Sequence, residues 1–186
     1  MDDKEIVDLF WARAEIAISE TAKKYGRYCY YIANNILHNN EDAEECVNDT
    51  YHGAWKTIPP QRPQMLSTFL GKITRNIALN KYKQYNSQKR GGGQVQIALS
   101  ELEDCISAPN EIEALADEGL LVDYINSFLY EQPKGNRDIF IRRYWYLSPI
   151  SDISEQFGMS ESKVTSILFR LRKELKHYLL KEGITI

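Results

Sequence analysis

The chain has 186 residues, 43% hydrophobic and 26% charged, with a formal net charge of −3. That length allows one domain or two small ones with ordinary cores. No apolar run reaches the roughly 18 residues a membrane span needs, and the acidic start MDDKEIVDLF has neither the basic flank nor the apolar core of a signal peptide, so a cytoplasmic protein is expected.

The three cysteines, Cys29, Cys46 and Cys105, are widely spaced and form no CxxC. They are expected to be buried small hydrophobes in a reducing compartment. His38, His52 and His177 have no zinc-ligand spacing among themselves or with the cysteines, so neither metal nor cofactor is expected. Charge is distributed in blocks. Residues 1–66 hold 7 basic and 11 acidic side chains, and 67–93 hold 6 basic and none acidic. Residues 94–131 hold 9 acidic and none basic, and 132–186 hold 10 basic and 6 acidic. Two basic blocks around an acidic one point to different partners for different parts of the chain.

From Asp2 to Asn39 the spacing predicts helix. Ile6, Leu9, Phe10 and Ala14 mark one face, Tyr28, Ile32, Ile36 and Leu37 a later one, and Gly26 is expected to interrupt or bend the segment. Tyr25, Tyr28, Tyr30 and Tyr31 read as core and half-buried packing residues. In HNNEDAEECVNDTYHGAW, Asn39 or Asn40 is the cap, and Glu41, Asp42 and Glu44 fall in the first turn, where the helix dipole favours negative charge. Ala43, Val47, Tyr51 and Ala54 form its inner stripe, and Asp42, Glu45, Asn48, Asp49 and His52 line the opposite side. From the residues alone, such a face reads first as a solvated surface. PPQRP at 59–63 ends the helix in a loop.

MLSTFLGKITRNIALNKYKQYNSQKR predicts a long helix with Leu66, Phe69, Leu70, Ile73 and Ile77 inward. Lys72, Arg75, Asn76, Asn80 and Lys83 are expected to face out, with Lys89 and Arg90 beyond. These cations lack the i,i+4 carboxylates of an ordinary solvated helix. They should attract phosphates, with the asparagines and Tyr82 or Tyr85 handling bases. A basic surface without a ligand is the competing reading.

Gly91–Gly93 reads as a hinge, because no strand precedes it and no GK[ST] follows. Residues 94–118 show poor periodicity and dense negative charge, and read as a linker. Helix resumes at about Asp117 with Leu121, Ile125, Phe128 and Leu129, breaks at Pro133-Lys134-Gly135, and restarts over Arg137–Leu147.

SPISDISEQFGMSESKVTSILFRLRKELKHYLL then predicts two helices about a tight turn. Pro149 suits a first helical position, Ile150, Ile153 and Phe157 recur at helical spacing, Gly158 supplies the left-handed stop, and Ser160 caps the second helix. Val164, Ile167, Leu168, Leu171 and Leu175 form one stripe, leaving Ser162, Lys163, Ser166, Phe169, Arg170 and Lys173 on the other side. Phe169 lies roughly 140° from the stripe's centre, where it is free to touch a thymine methyl. This is the pattern of a helix-turn-helix that reads DNA. A plain αα-hairpin, with its charges serving only solubility, is the alternative.

No strand alternation and no nucleophile–base constellation occurs, so an all-α, non-enzymatic protein is expected. Its two small helical domains would occupy 1–90 and 117–186, joined by a flexible acidic linker at 91–116.

Three of these blocks, in this order, resemble the bacterial sigma-70 family, specifically its small two-domain extracytoplasmic-function group. DAEECVNDTYHGAW resembles the segment that docks on the clamp helices of RNA polymerase. FLGKITRNIALNKYKQ is similar to the segment that melts and reads the −10 element, and NRDIFIRRYWYLSPISDISEQFGMSESKVTSILFRLRKEL to the −35 reader. The resemblance implies RNA polymerase core and promoter DNA as partners, no membrane insertion, and an anti-sigma factor as an open question. It implies polymerase contacts from Asp42, Glu45, Asn48 and Asp49, with Asn48 in place of the usual glutamine. It implies −10 contacts from Lys72, Arg75, Asn76, Asn80 and Lys83, and −35 contacts from Ser162, Lys163, Ser166, Phe169, Arg170 and Lys173. It also implies that the acidic linker threads the polymerase cleft. Asn80 stands where the family usually has aspartate, Phe69 replaces a tryptophan, and Ile167 and Phe169 replace polar or basic residues. The promoter sequence is therefore not predictable. A stand-alone helix-turn-helix regulator, and a nucleic-acid enzyme with Asp42, Glu45 and Asp49 as metal ligands, are the rival readings. The second lacks a converging partner for those carboxylates.

Overall fold

The computed structural model describes residues 1–86, 93–106 and 118–183, and these are helical with short connections. The chain divides into two compact units, Met1–Gly91 and Gly92–Ile186.

The first unit contains α1 (Asp3–Trp11), α2 (Ile16–Leu37), α3 (Asn40–Thr57) and α4 (Leu66–Asn86). A reciprocal cap starts α1: the Glu5 N–H donates to Asp2 Oδ1 at 2.8 Å, and the Asp2 N–H donates to Glu5 Oε2 at 2.7 Å. The expected break at Gly26 falls elsewhere. The chain turns at residues 12–15, with Arg13 at φ 55°, and Gly26 lies inside α2. A Cβ on Gly26 would sit 3.1 Å from the Tyr51 hydroxyl, so this glycine serves helix packing and not a bend. Helices α2, α3 and α4 pack on one another and α1 packs on α2. The core includes Ile6, Phe10, Ala17, Cys29, Val47, Tyr51, Ala54, Leu66 and Leu70. Where α3 meets α4, the buried Thr50 and Thr74 hydroxyls lie 3.0 Å apart, and each also donates to a carbonyl one turn back in its own helix. Each hydroxyl proton is thus satisfied by a carbonyl of its own helix. Cys29 and Cys46 are buried free thiols, as expected. Burial raises the pKa of both, that of Cys46 to about 12, so they behave as inert hydrophobes. The Cys105 side chain is outside the described residues.

The second unit contains α5 (Gln94–Ile106), α6 (Glu118–Glu131), α7 (Lys134–Tyr144), α8 (Ile150–Phe157) and α9 (Glu161–Lys181). Helix α9 is its centre and touches all four others. Its stripe of Val164, Ile167, Leu168, Leu171, Leu175 and Leu179 is buried. Helix α8 stops at Gly158, at φ 59°, and the Ser160 hydroxyl accepts from the Lys163 N–H at 3.3 Å to start α9.

Helix α5 corrects the expectation of a linker over this stretch. Val95 and Ala98 are buried, Leu99 and Leu102 are half-buried, and the helix packs on α7 and α9. Two attachments hold it: a short apolar face, and Glu101 bonded to arginines of the unit. The hinge residues Gly91 and Gly92, the cations Lys89 and Arg90, and the acidic stretch 107–117 lie outside the described residues.

Candidate functional site

The candidate residues fall on three helix faces. On α3 the apolar positions Ala43, Val47, Tyr51 and Ala54 are buried, which turns Glu45, Asn48 and Asp49 outward as expected. Asp42 differs, because it is only 21% exposed and is tied to α4. Lys81 Nζ lies 2.8 Å from Asp42 Oδ1 and 2.6 Å from Glu45 Oε2, and the Tyr85 hydroxyl donates to Asp42 at 3.1 Å. The Lys81 hydrogen bond lowers the Asp42 pKa, and its effect outweighs the opposing desolvation. Two of the three carboxylates that a metal-dependent enzyme would have used therefore hold a lysine ammonium. No group of three His, Cys, Asp or Glu among the described residues is arranged to hold a metal ion.

Lys81 is the residue between these candidate faces that the sequence pattern missed. It belongs to the basic block, but its side chain is 17% exposed and points to α3. The only signal was positional: stepping from Ala78 and Thr74, it falls on the α3 side of the helix. The basic helix does have carboxylate partners, supplied by its neighbour and not by its own i,i+4 positions.

On α4 the buried residues Leu66, Leu70, Thr74 and Ala78 define the inner side. Lys72, Asn76, Asn80 and Lys83 are exposed and recur at steps of four, four and three, so they share one outer stripe. Arg75 departs from its expected outward position. It is half-buried, it is not without a partner, and burial lowers its pKa from the ordinary arginine value. The outer stripe thus carries two cations and two amides. Cations suit phosphates, while amides both donate and accept and so suit base edges.

On α9, Ser162, Lys163, Ser166, Phe169, Arg170 and Lys173 are all exposed. The Ser166 hydroxyl donates to the Ser162 carbonyl at 2.9 Å, leaving its oxygen able to accept. Phe169 is 62% exposed, and the Arg172 guanidinium carbon lies 6.0 Å from its ring centroid. The eight-residue α8, the left-handed Gly158 and the 21-residue α9 with its polar outer face are arranged as the helix-turn-helix pattern requires.

Residues 21–88, running from within α2 to the end of α4, match the family model described as Sigma-70 region 2. Over those residues the first unit is similar to sigma-70 region 2. The chain has no significant match among curated proteins. No helix among the described residues is long and apolar enough to cross a membrane.

Proposed function

We propose that the chain is a sigma factor of the small two-domain extracytoplasmic-function type, conferring promoter specificity on bacterial RNA polymerase without catalysis of its own. The observation that carries this is the sigma-70 region 2 match over α2–α4. Asp42, Glu45, Asn48 and Asp49 of α3 are the polymerase-docking residues. On α4, Lys72, Asn76, Asn80 and Lys83 meet the −10 strand as the duplex opens. Arg75 contributes there from its half-buried place. The second unit inserts α9 in the major groove at −35, with Ser162, Lys163, Ser166, Phe169, Arg170 and Lys173 toward the duplex. Each contact set is modest, and holding two DNA readers on one polymerase multiplies them through effective concentration.

Run-off transcription with purified core polymerase tests the proposal. The expected outcome is a promoter-dependent transcript that requires both chain and core. Specific duplex binding by the chain alone, with no transcript when core is added, would establish a stand-alone regulator and refute the sigma assignment. Arg170→Ala and Ser166→Ala should change the use of −35 sequence, and Asn76→Ala and Asn80→Ala the use of −10 sequence.

A further inference from the structure

Glu101 of α5 gathers three partners from two other helices. Arg143 Nε and Nη2 each donate to its carboxylate at 3.3 Å, the Tyr144 hydroxyl donates at 3.1 Å, and Arg172 Nη1 donates at 3.4 Å. Arg172 Nη1 also donates to the Tyr144 oxygen at 2.5 Å, so one hydroxyl is passed between acid and base. Burial pushes the Tyr144 phenol up, which keeps its proton available for that role.

The result is unusual for α9. Its neighbours Arg170 and Lys173 are exposed, but Arg172 is half-buried and committed inward. A guanidinium held on one side by a carboxylate and a phenol has little freedom on the other. That other side faces the Phe169 ring, one turn earlier on the same helix. An exposed phenylalanine ordinarily moves among rotamers. A cation over its face removes part of that freedom. Pre-ordering a contact residue lowers the entropy lost on binding and sharpens which base edge it can meet.

We infer that α5 belongs to the −35 reading device: Glu101 and Tyr144 hold Arg172, and Arg172 sets the orientation in which Phe169 meets an apolar base edge, such as a thymine methyl. The inference rests on the proposed reading of α9 as the DNA-facing helix. Phe169 is the contacting residue, and Arg172, Tyr144 and Glu101 are positioning residues.

The test uses the full chain bound to core polymerase, with promoters randomised through the upstream element. Four variants are compared: Phe169→Ala, Arg172→Ala, Tyr144→Phe and Arg170→Ala. Glu101 itself is left intact, because its loss would leave the buried Arg143 without its carboxylate and confuse reading with folding. Phe169→Ala should lower the preference for one base, at one or two upstream positions, by about fivefold or more. Arg172→Ala and Tyr144→Phe should lower preference at those same positions by a smaller factor. Adding Arg172→Ala to Phe169→Ala should change nothing further. Preferences at −10 should stay as in the wild type, and the helical circular dichroism of each variant should match it, which loss of folding in the second unit would not allow. If Phe169→Ala alters the upstream preference while Arg172→Ala and Tyr144→Phe match the wild type, the positioning inference is overturned and the −35 reading stands. If Arg170→Ala alters it and Phe169→Ala does not, Phe169 is no contact and the inference is again overturned. If no α9 variant changes it, the −35 reading itself is overturned, and the inference with it.

Discussion

Arg143 shows what a single side chain contributes to the second unit. It is 1% exposed, yet it carries a charge that leaves water only when fully partnered. Glu101 supplies the countercharge, and the Ser148 carbonyl at 3.3 Å and Gln94 Oε1 at 3.4 Å accept from Nη1. Removing the carboxylate would strand a buried cation, whereas replacing both partners by apolar side chains would remove the charge and the need for it. Glu101 is 27% exposed, so water offsets part of the loss. Glu101→Ala should therefore cost about 2 kcal/mol, below the range for a fully buried pair. The double variant Arg143→Met with Glu101→Leu should recover part of that loss, the half-buried Arg172 still lacking its carboxylate. Urea unfolding of the full chain, followed by helical circular dichroism, measures both. Equal stability of Glu101→Ala and wild type would show that the pair contributes nothing.

At the scale of helices, α3 and α4 are coupled through Lys81, and this changes how the proposed docking face has to be probed. Reversing Asp42 and Glu45 together would remove both carboxylates of this bridge and place two cations beside Lys81. Asp49 is exposed and makes no ion pair among the described residues, so it separates docking from folding. Asp49→Lys should weaken core polymerase binding with thermal melting unchanged, whereas Asp42→Lys with Glu45→Lys should lower both. Competition binding to core, read beside a melting curve, distinguishes these outcomes. Wild-type affinity in Asp49→Lys would remove that residue from the docking face. The buried stripes of α3 and α9 were legible because Ala43, Val47, Tyr51 and Ala54, like Val164, Leu168, Leu171 and Leu175, lie on amphipathic helices whose period needs no partner to read. The Lys81 bridge was not, since it depends on where α3 crosses α4. Helix α5 was hidden for a different reason. Val95, Ala98, Leu99 and Leu102 follow helical spacing, but the period is lost over the rest of 94–118, and that stretch, dense in acid and without a basic residue, read as a linker. Glu101 reverses that inference, because one of the repelling charges is the one that fastens the helix. Gly26 misled in the same way, since a glycine inside a helix signals either a bend or a close neighbour, and only the position of Tyr51 decides between them.

Over the whole molecule, the charge pattern separates what attracts DNA from what opposes it. Residues 67–93 and 132–186 have an excess of basic side chains, and 94–131 lie between them with nine acidic ones and no cation. On the proposed function, a protein that finds promoters through polymerase gains from weak affinity for DNA on its own, and an acidic segment next in sequence to both basic blocks provides repulsion at short range. Not all of that acid is equivalent: Glu101 is consumed by Arg143 and Arg172, so its charge is largely compensated within the second unit. A test that keeps Glu101 neutralises Glu111, Glu113 and Asp117, which lie outside the described residues. Changing those three to Gln, Gln and Asn should raise polymerase-independent affinity for non-specific duplex, measured by fluorescence anisotropy at low salt. The gain should diminish towards physiological salt, where the Debye length is about 8 Å and the repulsion is screened. The neutralised chain should also show a steeper dependence of log affinity on log salt, because more of its cations would engage phosphates. Equal affinity of the two chains at low salt would show that the acidic block does not restrain DNA binding, and would assign its charge to another partner.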